Sequence, residues 1–256
     1  MSPPAGGGRP RTYIAIRATL DWADEEAFWG QLDPRVRPRV ELWNATLTMP
    51  FHEFRRRVRE IAALNLARVE GATLADWEEI PDGERVLPVD DDDWFDPDLV
   101  RVLDRAWGSA EIVRWNPLWL GVPSDLGHWF YATRRALLPF TPAHWTCDTN
   151  NYGLVKRPGR RPEFEGHLAA TKWFARAGRG EAARIPGRYS INNRTLASQT
   201  SLRPTSRDGE IDSGRLLQRL RRYRQIYRRR RWWRDPAWSR PYVALMAELM
   251  EDVEPR

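Results

Sequence analysis

The chain has 256 residues, of which 41% are hydrophobic and 14 are tryptophan, so it has enough apolar side chains for a packed core and is not disordered throughout. It contains no run of about 18 apolar residues, so no membrane-spanning helix is expected. Its single cysteine, Cys147, excludes an internal disulfide and a cysteine-based zinc site. The net charge of +6 is local, because ten arginines and no acidic residue lie between Arg215 and Arg234, which leaves −4 for the rest of the chain. This distribution argues against nucleic-acid binding by the protein as a whole.

The first helices and strands are predicted from the positions of proline, glycine and charged residues. Residues 1–10 are rich in proline and glycine and are expected to be disordered; they also lack the apolar stretch of a secretory signal, so we expect a cytoplasmic protein. Residues 12–16 predict a strand, and residues 24–32 predict a short helix with acidic residues in its first turn. Two prolines, Pro34 and Pro38, delay the predicted second strand to residues 40–43.

The clearest helical pattern begins at Phe51. Apolar residues recur at helical spacing through residues 51–69, and arginines lie mainly on the opposite face. The apolar positions are Phe51, Phe54, Val58, Ile61, Leu64 and Val69. The arginines, which we interpret as a solvent-exposed face, are Arg55, Arg56, Arg57 and Arg59.

Residues 84–99 carry the most specific pattern in the chain. An apolar run, residues 86–89, predicts a buried strand that ends directly in four aspartates, Asp90, Asp91, Asp92 and Asp93. Asp96 and Pro97 then predict the start of a helix. Because adjacent carboxylates resist ionising together, a cation among them is expected, and oxygen ligands favour Mg²⁺ or Mn²⁺. The alternative is a solvated acidic turn, which the apolar strand on one side and an aromatic pair on the other argue against.

Residues 86–99 resemble the DxD segment of family-2-like glycosyltransferases with the GT-A fold, and the resemblance extends over residues 51–103. It implies an α/β fold, a GT-A-like (Rossmann-like) mixed sheet flanked by helices, over residues 11–205. It also implies that Asp90 and Asp92 form the DxD pair, with Asp93 beside them, and hold a metal that bridges the diphosphate of a nucleotide-sugar donor. By the same resemblance, Asp90 and Asp91 are expected to bind the nucleotide-sugar donor. The family's Pro-Thr-Tyr-Asn-like and Asp-Asp-Gly-Ser-like segments are missing here, so the resemblance does not identify the donor.

The resemblance also implies a catalytic base downstream of the acidic run. A carboxylate within hydrogen-bond reach would take the proton of an acceptor hydroxyl; Glu165 is the first candidate and Asp148 the second. His167 would complete the metal site. Surface or capping roles are as compatible with these three residues as chemical ones. Residues 148–152 suit sugar recognition through amides and an aromatic ring, or form an asparagine-rich turn.

The remaining segments are predicted more coarsely. Residues 111–115 predict a strand, residues 116–127 and 178–187 predict loops, and residues 168–174 predict a helix. Residues 206–256 are expected to form a basic helical extension. Its arginine-rich helix, predicted over residues 215–234, is expected to pack an apolar stripe on the catalytic domain. The alternatives are peripheral contact with the inner face of a membrane or binding of a polyanion. A last amphipathic helix is predicted over residues 241–253.

Together these patterns predict a metal-dependent glycosyltransferase, inverting by resemblance, with a nucleotide-sugar donor and an unknown acceptor. Two alternatives remain. One is a metal-dependent phosphoryl-transfer enzyme or hydrolase, in which residues 90–93 hold one or two ions. The other is a polyanion-binding or membrane-surface protein that acts through the arginine-rich helix, although nucleic acid is the less favoured partner.

Overall fold

The computed structural model describes residues 9–17, 24–46, 49–121, 137–139, 150–159, 167–177, 180–194 and 236–251, and the single residues 204 and 214. The strands are β1 (Thr12–Arg17), β2 (Ala72–Leu74), β3 (Arg85–Asp90), β4 (Trp94–Phe95), β5 (Ile112–Gly121), β6 (Leu137–Pro139), β7 (Tyr152–Val155) and β8 (Ala182–Arg194). The α-helices are α1 (Glu25–Gln31), α2 (Arg37–Thr46), α3 (Phe51–Leu66), α4 (Leu99–Ala106), α5 (His167–Arg176) and α6 (Arg240–Glu251). Within the described residues, two short 3₁₀ helices cover Trp77–Glu79 and Ala237–Ser239.

The strands form one mixed sheet in the order β2-β1-β3-β7-β5-β8-β4, and β6 pairs with β5. Strands β2, β1 and β3 are parallel, β7 is antiparallel to both β3 and β5, and β8 is parallel to β5. Five strands therefore run in one direction, and their carboxyl ends share one edge of the sheet with the amino end of β7. In open α/β sheets this is the edge at which ligands bind.

Apolar clusters cover both faces of the sheet. On one face Leu87 and Val89 pack with residues of α3 and α4, and on the other Val86 packs with the 3₁₀ helix Trp77–Glu79 and with α5. Because successive side chains of a strand point to opposite faces, a strand buried on both sides reads as a continuous apolar run. The predicted α/β class and the strand before the acidic run are therefore confirmed.

The predicted strand at residues 40–43 is wrong, because these residues belong to α2. Val36, Val40 and Trp43 are all buried, and their spacing is that of one face of a helix. Pro38 does not break this helix, since it lies in the first turn, where a backbone N–H has no partner within the helix to lose. The two prolines thus mark the start of a helix and not a delayed strand.

The loops predicted at residues 116–127 and 178–187 are wrong over residues 116–121 and 182–187, whereas residues 180 and 181 do lie in a turn. Strand β5 continues through Pro117 to Gly121, and β8 already begins at Ala182. The ladder between the two strands shifts register on either side of Asn116, and such irregularities are where a strand accommodates proline. The strands predicted at residues 12–16 and 111–115 are confirmed, as are the helices predicted at residues 24–32 and 168–174. The helix predicted from Phe51 is confirmed as far as Leu66, and the helix predicted over residues 241–253 is confirmed as far as Glu251, the last described residue.

Helix α3 buries the predicted face from Phe51 to Val58 and departs from the prediction beyond it. Phe51, Phe54 and Val58 are buried as expected, but the buried stripe continues through Ala62 and Leu66, and the other buried residues of the helix include Arg55 and Asn65. Leu64 is 60% exposed. Following the apolar residues past Val58 led the prediction off the helical repeat, which places smaller and polar side chains on the inner face.

Candidate metal centre

The four aspartates form a tight turn at the carboxyl end of β3. Asp90 is the last residue of the strand and lies in register with Arg17, the last residue of β1. The backbone N–H of Asp93 donates to the carbonyl of Asp90 at 3.1 Å, which closes a turn with Asp91 and Asp92 at its corners. The acidic turn, residues 90–93, therefore lies at the sheet edge where the parallel strands end.

The turn is buried. Asp91, Asp92 and Asp93 are only 7%, 4% and 2% exposed, and Asp90 is half-buried. Carboxylates taken out of water need hydrogen-bond donors or positive charges, because a buried ion without either is costly. The burial argues against the alternative of a solvated acidic turn.

Part of the compensating charge comes from α3. Nη2 of Arg55 donates to Oδ1 of Asp91 at 2.6 Å, and Nη1 of the same side chain lies 3.7 Å from Oδ2 of Asp92. Nε of Arg59 lies 3.0 Å from Oδ2 of Asp91. The interpretation of the α3 arginines as a solvent-exposed face is thus wrong for Arg55 and Arg59. Both project towards the turn because they lie one helical turn apart on the same side of the helix.

The same interpretation is correct for the two neighbouring arginines. Arg56 is 40% exposed and pairs with Glu53 and Glu60 along the helix surface, and Arg57 is similarly exposed. Adjacent arginines of one sequence cluster therefore have opposite environments.

Asp90 has its own arginine from the neighbouring strand. Nε and Nη2 of Arg17 approach Oδ1 of Asp90 at 2.8 and 2.7 Å. Asp90, Asp91 and Asp92 thus each lie within ion-pair distance of a guanidinium group. With Asp93 included, the four aspartates and these three arginines, Arg17, Arg55 and Arg59, carry a formal net charge of −1. Arginines supply much of the neutralisation that the sequence pattern assigned to a metal alone.

Arg55 remains charged inside the protein. Burial disfavours its guanidinium, but the charges of Asp92 and Asp91 outweigh this, and the pKa of Arg55 is raised above its ordinary value. A permanent positive charge therefore lies beneath the turn.

Asparagines near the same sheet edge complete the polar surroundings. The backbone N–H of Asn193, in β8, donates to Oδ1 of Asp93 at 2.6 Å. Asn150 donates through Nδ2 to the carbonyl of Ile191 at 2.7 Å, and its Oδ1 lies 3.4 Å from Nδ2 of Asn192. All three asparagines are buried. The Asn150 amide is thus engaged within the protein, which favours the asparagine-turn interpretation over sugar recognition for this residue. Asn192 and Asn193 were assigned no role from the sequence, in which the adjacent pair of asparagines is the one available signal.

Asn65 secures the chain where it leaves the turn. Its side chain donates through Nδ2 to the carbonyl of Phe95 at 3.0 Å and accepts from the N–H of Phe95 at 2.9 Å. A buried amide thereby serves as a strand partner for β4, whose other neighbour is β8. This fixed anchor limits how far the acidic turn can move.

Three of the four aspartates converge. Asp90, Asp92 and Asp93 each place one carboxylate oxygen so that the three atoms lie within 4.8 Å of one another. An all-oxygen donor set of this kind fits Mg²⁺ or Mn²⁺. Asp91 lies outside this group, since both its oxygens face arginines.

The description of the other predicted site residues is incomplete. Glu165 and Asp148 lie outside the described residues, and His167 is described only as the first residue of α5, without its side chain. Residues 215–234, for which a helix is predicted, and residues 1–8 of the stretch predicted to be disordered also lie outside the described ranges. Within those ranges, no helix combines the length and apolar composition needed to cross a bilayer.

No model of a known protein family matches the chain, and no curated protein does. The resemblance to GT-A glycosyltransferases therefore stays a prediction based on the short segment that carries it.

Asp96, just after the turn, is expected to make the stability of the protein depend on pH. Burial raises the pKa of Asp96 above its ordinary value of 3.8, and the N–H of Asp98, which donates to Oδ1 at 3.0 Å, offsets only part of this. Because the pKa is higher in the folded state, the carboxyl contributes most to stability below its unfolded pKa, and the contribution is lost as the pH rises through the folded pKa.

Replacing Asp96 with asparagine keeps the acceptor and removes the charge. We expect Asp96→Asn to be more stable than the wild type at pH 7 by up to about 1 kcal/mol, with the difference vanishing below the ordinary aspartate pKa. Urea unfolding of both proteins between about pH 3 and pH 8 measures this difference. A stability difference between the two proteins that is constant with pH would contradict the raised pKa of Asp96.

Proposed function

We propose that the protein is a metal-dependent glycosyltransferase that transfers a sugar from a nucleotide-diphosphate donor to an acceptor hydroxyl. The observation that carries the proposal is the convergence of Asp90, Asp92 and Asp93 at the carboxyl end of a buried parallel strand, with oxygens within 4.8 Å. The GT-A-like character of the sheet belongs to the same proposal. It rests on the resemblance of residues 51–103 and is compatible with the mixed α/β sheet.

The chemistry follows from the donor set. Asp90, Asp92 and Asp93 would hold Mn²⁺ or Mg²⁺, and an ion bound there would stabilise the negative charge of a departing diphosphate. Arg17 lies at the same edge and contacts Asp90, and its planar guanidinium is suited to phosphate oxygens. Glu165, or else Asp148, would accept the proton of the acceptor hydroxyl, and His167 would be a further ligand. A cytoplasmic location, with membrane contact through residues 215–234, is the setting we propose.

The test is a donor screen on the full chain. Common nucleotide-sugar donors are incubated with the protein and Mn²⁺ or Mg²⁺, and released nucleotide diphosphate is measured, since slow transfer to water reports activity even without the acceptor. We expect release with at least one donor, and loss of that release on addition of EDTA. Absence of release with every donor would contradict the proposal. Turnover of simple phosphoesters in place of donors would favour the phosphoryl-transfer alternative.

A further inference from the structure

The carboxyl-terminal helix α6 reaches the acidic turn through one side chain. Tyr242 lies in the first turn of α6, and among the described residues of that helix it alone is fully buried. Its hydroxyl donates to the backbone carbonyl of Asp92 at 3.0 Å, across 150 positions of sequence. Its ring packs on Trp94, with the ring centroids 4.4 Å apart. A helix that the sequence assigned to a separate extension therefore contacts the centre of the site.

The hydrogen bond from Tyr242 holds the same peptide group that closes the acidic turn. The peptide unit between Asp92 and Asp93 carries the carbonyl that accepts from Tyr242 and also the N–H that donates to Asp90 at 3.1 Å. A peptide unit is planar and rigid, so two hydrogen bonds on opposite sides of it fix its rotation. The side chains of Asp92 and Asp93 are attached on either side of this unit. Its rotation therefore sets where their carboxylates point.

We infer that Tyr242 is a positioning residue of the acidic site: its hydroxyl fixes the Asp92–Asp93 peptide and thereby the two carboxylates that converge with Asp90. Helix α6 thus completes the site and is not a separable appendage. The hydroxyl acts through this peptide group, by its hydrogen bond to the Asp92 carbonyl. Without it, the Asp92 carbonyl, in a residue only 4% exposed, loses its tyrosine donor, and the turn gains freedom to rotate.

The variant Tyr242→Phe removes the hydroxyl and keeps the ring on Trp94, so the chain is expected to fold. Tyr189→Phe is the matched control, because the Tyr189 hydroxyl also donates to a backbone carbonyl, that of Pro186, at 2.8 Å. Hydrogen exchange followed by mass spectrometry reports the peptide that spans residues 85–98. We expect exchange in this peptide to be about two- to tenfold faster in Tyr242→Phe, the range that follows from losing one hydrogen bond. Peptides elsewhere, and the control variant, should be unchanged.

A second readout follows Mn²⁺ affinity by electron paramagnetic resonance at a temperature where all three proteins are folded. We expect about two- to tenfold weaker binding for Tyr242→Phe and none of this loss for Tyr189→Phe. This readout rests on the proposed function, whereas hydrogen exchange does not. If the wild type takes up no Mn²⁺, the proposed function fails and exchange alone decides the inference. Unchanged exchange in residues 85–98, or a uniform increase over the whole chain, would overturn the role given to Tyr242.

Discussion

Replacing Arg55 with methionine is expected to lower the free energy of unfolding by about 3 to 5 kcal/mol, because it leaves buried carboxylates without their nearest counter-charge. Arg55 is 0% exposed, donates to Asp91 at 2.6 Å and lies 3.7 Å from Asp92. Methionine fills similar volume, so most of the loss should come from charge and not from a cavity. Urea unfolding at neutral pH measures it, with midpoint and slope compared to the wild type.

The neighbouring arginine provides the control. Arg56→Met removes the same group from the same helix, but Arg56 is 40% exposed and its partners are surface glutamates, so the expected cost is below about 1 kcal/mol. A double variant, Arg55→Met with Asp91→Asn, should recover part of the lost stability, because it removes one of the stranded charges as well. Equal costs for Arg55→Met and Arg56→Met would show that the buried pairing does not support the turn.

The largest effect on activity is expected from Asp92→Asn. The substitution keeps the size of the side chain and the backbone carbonyl that accepts from Tyr242, but it removes the charge of one of the three converging carboxylates. Release of nucleotide diphosphate should fall by about 100-fold or more, since charge stabilisation by a bound metal is worth several kcal/mol.

The control is an acidic residue of the same segment that does not join the cluster. Asp98→Asn removes an exposed carboxylate that pairs with Arg101 on the surface, and it should leave release unchanged. The melting temperature of each variant separates lost chemistry from lost fold. Full activity in a folded Asp92→Asn protein would mean that the acidic turn is structural and that its arginines are sufficient for it.

Local pattern predicted the elements that lie closest to the site. The apolar run before Asp90 predicts a buried strand, and the 3.6-residue repeat from Phe51 predicts α3, because the spacing of apolar residues reflects which faces of a strand or helix are buried. The strand predicted at residues 40–43 failed for a local reason as well, since Pro38 is compatible with a first helical turn.

The partners of the acidic turn could not be predicted in this way. Arg55 and Arg56 are adjacent and chemically identical, and only the packing of α3 against a turn 36 residues away buries one and exposes the other. Tyr242 is a further example, because nothing near it in sequence indicates contact with Asp92. The sequence therefore indicated that the carboxylates need positive charge, but the tertiary structure decides how much of that charge arginines provide.

The central claim is that the acidic turn binds a divalent cation, and calorimetric titration of the full chain with Mn²⁺ tests it most directly. We predict one Mn²⁺ bound per chain, with binding retained in Asp98→Asn and lost in Asp92→Asn. Absence of Mn²⁺ binding by the folded wild type, or equal binding by the two variants, would contradict the claim.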